Sequence, residues 1–309
     1  MKAIAAAFAG IALGALSSAF AQTPAPQSPA DRFAAVQIRA IDLGHQTYAL
    51  AGLGGNMTLA VGKDGAILVD TEFAPLHDKI EAAIAALTPA PVKYVINTHY
   101  HGDHTGGNAA FAEEGAIIVG QENLKTRLAE GVTNALTGAK TPPAPEAALP
   151  KVTYKSAMSV RVKGRTARLG HIAGAHTDGD TYVFFPDANV LATGDIVTVG
   201  GRYPNIDIAA GGGIDGMLKG VDKYLSIAKN ATKIVPGHGP VLSRGDLIVY
   251  RANLAAARDA VKALIKAGKS EEEAVAAKPL AAIDIKVGAT DEGSANFTRL
   301  VYRSLKAKR

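Results

Sequence analysis

Residues 98–104 read Thr-His-Tyr-His-Gly-Asp-His, which places three imidazoles and one carboxylate within six consecutive positions. They directly follow Val92–Ile96, an apolar, β-branched run that is typical of a buried strand. The carboxyl ends of strands are where α/β proteins commonly carry their chemistry. Imidazole nitrogen and carboxylate oxygen are ligands that zinc favours in active sites. The stretch therefore predicts a metal site in a loop at the end of a strand.

The spacing inside this stretch indicates two ions. His99 and His101 are two residues apart and can share one ion where the backbone is extended. Asp103 and His104 are adjacent, so their side chains point in different directions and can serve a second ion. This pattern suggests two metals bridged by a solvent oxygen. Asp103 is the candidate catalytic residue, since it can bind metal and also orient the attacking water.

Three further ligand candidates lie in turns next to later predicted strands. His176 precedes the predicted strand Tyr182–Phe185, and Asp195 follows the predicted strand Val190–Ala192. His238 has a glycine on each side, which lets the backbone approach neighbouring groups closely. These three residues can complete the metal site.

Other polar residues near these turns have a structural interpretation. The remaining histidines are interpreted as core or capping residues: His45, His77 and His171. Asp178 and Asp180 are interpreted as turn residues or as groups that support a ligand, because aspartate favours turns by hydrogen-bonding its own backbone. Asp70 ends a strand and is either a turn residue or a group that orients a ligand imidazole.

Short strands dominate the first part of the chain and helices the last part. The predicted strands are 36–41, 47–50, 57–61, 66–70, 92–96, 116–119, further strands within 152–169, 182–185 and 190–192. The predicted helices are 75–87, 214–229, one capped by Ser243 and ending at 267, one capped by Ser270, and 296–305. Residues 131–150 are proline-rich and predict a long surface loop. This order of elements fits two β-sheets, each covered by helices on its outer face.

The first 21 residues have the pattern of a secretory signal. Lys2 is followed by the apolar run Ala3–Leu16 and by a small-x-small cleavage site that ends at Ala21. A transmembrane anchor is the alternative, but the run is short and rich in alanine and glycine. We expect cleavage after Ala21, a periplasmic or secreted protein, and no stable membrane insertion. Residues 22–31 are expected to be a flexible leader.

Composition narrows the classes of function. The 309 residues include no cysteine, which excludes disulfides and structural zinc sites of the cysteine type. The 33 basic and 28 acidic residues give a formal charge of +5, and the basic residues are scattered. No basic stripe with interleaved aromatics is present, so we expect no nucleic-acid partner. A small-molecule substrate is expected instead.

These motifs resemble the metallo-β-lactamase superfamily. The His-x-His-x-Asp-His signature and the three later ligand turns are matched in the family's order by His99, His101, Asp103, His104, His176, Asp195 and His238. The resemblance spans about residues 36–242. It implies an α/β fold, the four-layer αββα sandwich, with one domain over 32–309 and a C-terminal helical extension from about residue 243.

The resemblance also implies the metal assignment, two zinc ions per chain. One zinc is held by His99, His101 and His176, the other by Asp103, His104 and His238, and Asp195 bridges them. Asp195 stands where many true β-lactamases carry cysteine, and an aspartate bridge is typical of glyoxalase II-type thioesterases. The segment 203–217 resembles exported cyclase-like or SoxH-like members of the superfamily.

The expected function is zinc-dependent hydrolysis of a small carbonyl substrate by a metal-activated water. Opening of a β-lactam- or lactone-type ring is favoured, because an exported enzyme meets such compounds. The alternatives are glyoxalase II-like thioester hydrolysis and phosphodiester cleavage. A two-iron redox role is disfavoured, since such relatives generally have a flavin partner and often an added Glu ligand. A non-catalytic metal-binding module is disfavoured by the intact ligand set.

Overall fold

Two β-sheets stack face to face and carry helices on their outer faces in the computed structural model, which describes residues 28–133 and 138–307. The strands are β1 (Arg39–Asp42), β2 (Thr47–Ala51), β3 (Met57–Val61), β4 (Ala66–Val69), β5 (Val92–Ile96), β6 (Ile117–Gln121), β7 (Val132–Thr133), β8 (Lys140–Thr141), β9 (Val152–Tyr154), β10 (Ala157–Val162), β11 (Arg165–Ile172), β12 (Asp180–Phe185), β13 (Val190–Ala192) and β14 (Lys233–Val235). The helices are α1 (Pro29–Ala35), α2 (His77–Ala85), α3 (Gly102–Thr105), α4 (Asn108–Glu113), α5 (Glu122–Glu130), α6 (Ile214–Ile227), α7 (Arg244–Lys266), α8 (Glu271–Ala276), α9 (Ala281–Val287) and α10 (Asp291–Lys306).

The larger sheet has the strand order β1-β2-β3-β4-β5-β6-β9, and the smaller sheet has the order β10-β11-β12-β13-β14. Strands β1 to β4 form an antiparallel meander, whereas β4, β5, β6 and β9 run parallel. In the smaller sheet only β13 and β14 are parallel. The parallel strands β4, β5, β13 and β14 lead into the loops that carry most of the predicted ligands.

Each central strand is buried on both faces, which explains its continuous apolar sequence. In β4, Ile67 and Val69 point into the core between the sheets, while Leu68 packs under the outer helices. In β13, Val190 faces the core between the sheets and Leu191 packs under α6 and α7. Successive side chains of a strand point to opposite faces, so one apolar run serves two cores. The predicted four-layer αββα sandwich is confirmed.

The C-terminal helices cover the smaller sheet as a helical layer. Helices α6, α7 and α10 bury an apolar stripe against it, with Met217, Leu254 and Val301 in the same cluster. The predicted caps of two helices are present, because Ser243 with Asp246 and Ser270 with Glu273 form complete capping boxes. None of the helices in the described ranges is long and apolar enough to cross a bilayer.

Two predictions near the N-terminus need correction. Residues 29–31, expected in the flexible leader, begin α1, because Ser28 and Asp31 form a capping box and Pro29 occupies the first turn. The strand predicted over 36–41 is shifted, since α1 ends at Ala35 and β1 is Arg39–Asp42. The predicted signal and residues 22–27 of the leader lie outside the described residues. In the long loop predicted over 131–150, the described residues form the short β7–β8 pair and a single 3-10 turn at Glu146–Ala148.

Candidate metal centre

Three imidazoles and one carboxylate form the first group of potential ligands. Nε2 of His99 lies 3.1 Å from Nδ1 of His101, which in turn lies 2.9 Å from Nε2 of His176. The ligand atoms of these residues and of Asp195 all lie within 4.8 Å of one another. Ligands of a tetrahedral zinc ion are about 3.3 Å apart, given zinc–nitrogen distances of about 2.0–2.1 Å. The spacing of the three nitrogens therefore fits one ion.

A second group lies beside the first and consists of Asp103, His104 and His238, with ligand atoms within 4.8 Å. Oδ2 of Asp103 is 3.3 Å from Nε2 of His238 and 3.7 Å from Nε2 of His104. Asp195 lies between the groups, since its carboxylate is 3.1 Å from His104, 3.3 Å from His238 and 3.8 Å from His176. The structure thus brings all seven predicted ligands together.

Local backbone geometry explains how one short stretch serves both groups. His101 has extended backbone (φ −63°, ψ 147°) and precedes α3, whose first turn contains Asp103 and His104. Because the backbone changes there from extended to helical, the side chains of Asp103 and His104 belong to the second group, whereas His99 and His101 belong to the first. On the opposite loop, a Cβ at Gly237 would come within 1.9 Å of Oδ1 of Asp195. The close approach predicted for the glycines around His238 is confirmed there.

The ring nitrogens that face away from the centre are hydrogen-bonded. Oδ2 of Asp70 lies 2.8 Å from Nδ1 of His104, and Nδ1 of His176 donates to the carbonyl oxygen of Asn205 at 2.9 Å. Nδ1 of His99 lies 3.0 Å from Oγ1 of Thr98. Such partners fix the tautomer and the orientation of metal-binding imidazoles. Of the two roles considered for Asp70, the structure supports the orienting one.

Asp207 orients His101, although no motif in the sequence marks it. Its Oδ2 lies 3.0 Å from Nε2 of His101 and also accepts a very short hydrogen bond from the Tyr100 hydroxyl. Burial opposes ionisation, but these hydrogen bonds lower the pKa of Asp207 to about 2. The side chain is therefore an ionised carboxylate. Its position in an irregular segment far along the chain carried no signal.

Glu72 was also missed, although it is fully buried next to the second group. Its Oε2 accepts a hydrogen bond of 2.7 Å from the amide of Gly54, and the neighbouring Gly55 amide donates to the carbonyl oxygen of Asp103 at 3.1 Å. Glu72 has φ +56°, a left-handed conformation that is uncommon for this residue type. The carboxylate thus holds the turn between β2 and β3 against the centre.

The imidazoles and carboxylates of the centre balance one another's charge. Burial lowers the pKa of His99 well below its usual value and that of His176 to about 4, so both rings are neutral. Burial also acts on His238, but hydrogen bonds to Asp103 and Asp195 raise its pKa to about 9. The pKa of His104 is raised as well, because the Asp195 and Asp70 carboxylates outweigh the effect of burial. Two protonated imidazoles therefore compensate the carboxylates.

Two buried atoms at the middle of the centre have no hydrogen-bond partner. Nε2 of His104 and Oδ1 of Asp195 face each other at 3.1 Å, and neither makes a hydrogen bond with the described residues. Buried polar atoms are nearly always paired, so an orphaned donor and acceptor at one point fit a site that takes a ligand. The donor set and these orphaned atoms fit a metal cofactor.

The residues given a structural interpretation lie outside the two groups. Asp178 pairs with Arg127 at 2.7 Å, and Asp180 accepts hydrogen bonds from the amide and hydroxyl of Thr177. Nε2 of His171 contacts the carbonyl oxygen of Asp178 at 2.8 Å. The contacts of Asp180 agree with the turn role predicted for it, whereas the Asp178 carboxylate forms an ion pair and no turn hydrogen bond within the described part of the chain. His45 is exposed in the turn before β2, so its interpretation as a core residue is wrong.

His77 belongs to a separate cluster on the surface, with Glu81 and Glu114. Nε2 of His77 lies 2.6 Å from Oε1 of Glu114, and the ring packs edge-on against Phe111 with centroids 4.6 Å apart. The ligand atoms of this cluster also lie within 4.8 Å of one another. Glu81 and Glu114 are exposed, unlike the residues at the metal centre.

Comparison with known proteins agrees with this geometry. The family model described as the metallo-beta-lactamase superfamily matches residues 50–238. A beta-lactamase-like protein 2 homolog of Caenorhabditis elegans is 26% identical over 210 residues, which cover 65% of this chain and 61% of the relative. A hydroxyacylglutathione hydrolase of Methylococcus capsulatus is 30% identical over 144 residues, covering 42% of this chain and 48% of the relative. The chain therefore spans about half to three fifths of these curated relatives.

Solved structures share the fold at low sequence identity. A metallo-beta-lactamase from Pontibacter korlensis has a TM-score of 0.58 and 20% identity, covering 71% of this chain and 99% of that chain. The sec-alkylsulfatase Pisa1 from a Pseudomonas species has a TM-score of 0.65 and 18% identity, covering 86% of this chain and 50% of that chain. With the family match extending over most of the two-sheet core and ending at His238, the chain belongs to the metallo-beta-lactamase superfamily.

Proposed function

We propose that the chain is a two-zinc hydrolase that cleaves a carbonyl-centred bond in a small molecule. The observation that carries the proposal is the pair of adjacent ligand groups with Asp195 between them and an orphaned donor and acceptor at their centre. We propose His99, His101 and His176 as ligands of one ion and Asp103, His104 and His238 as ligands of the other, bridged by Asp195. When bound, zinc polarises a carbonyl oxygen and lowers the pKa of a water to about 7.

The protein groups around this chemistry have distinct tasks. The imidazoles of His104 and His176 are fully buried, whereas the side chains of His101, Asp103 and His238 are 22%, 25% and 14% exposed. Substrate therefore approaches from the side of these three residues. Burial opposes ionisation of Asp103, but the contact with His238 lowers its pKa to about 2. The exposed Asp103 carboxylate can thus accept a hydrogen bond from the attacking water and orient it.

Ring opening of a lactam or lactone is the first substrate class that we propose. One reason is the carbonyl chemistry proposed for the site. The other is export of the protein, which is predicted from residues 1–21 and which we also propose. Thioester hydrolysis is the second candidate, favoured by the similarity to a hydroxyacylglutathione hydrolase and by aspartate rather than cysteine at position 195.

Metal analysis together with a substrate panel tests the proposal. The chain purified without residues 1–21 is expected to contain about two zinc per chain and to hydrolyse lactams or lactones. Turnover of thioesters alone would select the second candidate. Absence of bound metal after dialysis, combined with unchanged activity of His101→Ala, would overturn the hydrolase proposal.

A further inference from the structure

An open pocket of about 550 Å³ lies on the smaller sheet, on the face that α6 covers. Residues of β10, β11 and β12 form its floor, and α6 forms one wall. None of the proposed metal ligands lines this pocket. Its volume lies in the range of sites that bind small molecules. The pocket is therefore a candidate for a second site that is separate from the metal centre.

The floor of the pocket is a row of three residues on neighbouring strands. Ala157 is paired with Gly170, and Gly170 is paired with Tyr182. Residues paired directly across a sheet have their side chains on the same face. Ala157 has only a methyl group there and Gly170 only a hydrogen, so the row leaves space above β10 and β11. A Cβ added to Gly170 would clash with Oη of Tyr182, which shows that the phenol lies across β11 in this space.

The Tyr182 hydroxyl is held in place but has no partner. Its ring packs edge-on against Tyr224 of α6, with centroids 6.0 Å apart, and is half-buried. Within the described part of the chain, Oη makes no hydrogen bond, although tyrosine hydroxyls at partly buried positions usually have one. The Ser156 hydroxyl, at the start of β10, lines the same pocket. Two hydroxyl groups are thus available to a ligand.

The wall formed by α6 has two cations without a counter-charge. Lys219 and Lys223 are exposed, and neither ammonium group forms an ion pair or a hydrogen bond with the described residues. The carboxylates of α6 are engaged elsewhere, Asp215 by Arg258 at 3.7 Å and Asp222 by Arg251. Like charges four residues apart on a helix repel each other. A bound anion would remove this repulsion.

Charge and shape together define the class of ligand. No carboxylate is among the described residues that line the pocket, so the lining is electropositive. A phosphate monoester has a charge of about −1.5 to −2 and three acceptor oxygens, which two ammonium groups and the hydroxyls match. Lysine binds phosphate as a point charge, whereas arginine is the residue that matches a carboxylate with two parallel bonds. Ala157, Ile172 and Ala173 add apolar surface beside these donors.

We propose that this pocket binds the phosphate group of a small organic molecule. Lys219 and Lys223 neutralise the phosphate, the Tyr182 hydroxyl donates to it, and the organic part covers the apolar surface. The proposal goes beyond the hydrolase function and does not depend on it, because the pocket contains no proposed metal ligand.

Calorimetric titration of the zinc-loaded chain with two probes of similar shape tests the proposal. The probes are phenylphosphonate, a dianion at pH 8.5 that has no ester bond to cleave, and benzenesulfonate, a monoanion. We expect phenylphosphonate to bind about tenfold more tightly, because the second charge interacts with the second lysine. Inorganic phosphate should bind more weakly than phenylphosphonate, since it leaves the apolar surface uncovered. Equal affinity for these two would overturn the assignment of an organic ligand.

Variants of the pocket locate the bound probe. Lys219→Ala/Lys223→Ala should weaken phenylphosphonate binding at least about tenfold and remove the preference over benzenesulfonate. Tyr182→Phe keeps the ring and should weaken binding about tenfold, because a hydrogen bond to a charged group is lost. Lys262→Ala/Lys266→Ala is the matched control, since it removes two exposed lysines with the same spacing on α7. The control should bind as wild type does.

The zinc of the metal centre can itself attract a phosphonate, and His176→Ala separates the two sites. Binding that persists in His176→Ala and is lost in Lys219→Ala/Lys223→Ala would support the pocket. The reverse pattern would place the probe at the metal centre and overturn the proposal, as would a wild-type chain that binds no phenylphosphonate. Turnover of carbonyl substrates is measured separately, so failure of the pocket proposal is distinguishable from failure of the hydrolase proposal.

Discussion

Among the described residues, the metal centre with its two ligand groups and the separate surface cluster both bring imidazole and carboxylate atoms within 4.8 Å of one another in each group. The metal centre gathers side chains from four loops and contains an orphaned buried donor and acceptor. The surface cluster of His77, Glu81 and Glu114 comes from two helices and their ends, and its closest pair is a satisfied contact of 2.6 Å. Proximity of ligand atoms is therefore a weak criterion for a metal site. Burial separates the two clusters better, since His99, His104, His176 and Asp195 are buried whereas Glu81 and Glu114 are exposed.

Removing one ligand of the metal centre should have the largest effect. His176→Ala is expected to lower zinc content below two per chain and to reduce hydrolysis by about 10³-fold or more, because a lost ligand leaves the metal without fixed geometry. Zinc is measured by atomic emission and activity on the substrate identified by the panel. His77→Ala is the matched control, with two zinc and wild-type activity expected. The same zinc content and the same activity in both variants would contradict the distinction between the two clusters.

Zinc affinity at the metal centre should depend steeply on pH. His238, whose pKa is raised to about 9, and His104, whose pKa is also raised, carry protons at pH 7 that zinc must displace. Affinity should rise with pH by up to about 100-fold per unit near pH 7, since two protons are released. The dependence should weaken above pH 9, where His238 is already neutral. Calorimetry in buffers of different ionisation enthalpy measures the released protons, and release of none would contradict the charge assignment.

Loss of an orienting carboxylate should have an intermediate effect. Asp207→Ala removes the partner of His101 Nε2 and is expected to weaken zinc binding by about 10- to 100-fold. Asp178→Ala is the matched control, because that carboxylate pairs with Arg127 and contacts no ligand imidazole. Competition with a chromophoric chelator gives both affinities. Similar affinities in the two variants would show that Asp207 does not orient the ligand.

Glu72 allows a finer test of how the turn between β2 and β3 supports the metal centre. Glu72→Ala removes the acceptor of the Gly54 amide and should weaken zinc binding to the Asp103 group by about tenfold. Glu72→Gln keeps an acceptor oxygen and should retain most of the affinity. The visible spectrum of the cobalt-substituted protein reports the geometry of the site. An unchanged spectrum and affinity in the alanine variant would contradict the positioning role.

The smallest effect on metal binding is expected at the surface cluster. His77→Ala loses the contact with Glu114 and the edge-on packing against Phe111, which should lower the free energy of unfolding by about 1–2 kcal/mol. Zinc content should stay at two. Denaturant unfolding gives the stability change. A third zinc in wild type that disappears in this variant would show that the surface cluster also holds metal.

The sequence contained the information for the proposed ligands because their signals are local. Three imidazoles and a carboxylate follow one apolar strand, and the turns around Asp195 and His238 are marked by glycines. The N-terminal helix was missed although Ser28 and Asp31 have the spacing of a capping box, because the surrounding prolines suggested disorder.

The orienting residues could not be predicted in the same way. Asp207 acts on a partner 106 positions earlier in the chain, and Glu72 acts on a turn 18 positions earlier. Their roles follow from tertiary packing, which brings irregular segments to the centre without a motif or a periodic pattern. Asp70 is the intermediate case, since its place after a strand suggested two roles and only its contact with His104 decides between them.

The seven side chains of the metal centre come from both sheets, His99 to His104 from the larger one and His176, Asp195 and His238 from the smaller one. Ions held there would cross-link the two layers through bonds that the unfolded chain lacks. A ligand of this kind stabilises the native state by about 4.1 kcal/mol when its free concentration is 1,000 times its dissociation constant. Folding and metal binding would then be coupled in one equilibrium. The concentration of free zinc would set the free energy of unfolding of the two-sheet fold, and with it the resistance to proteolysis.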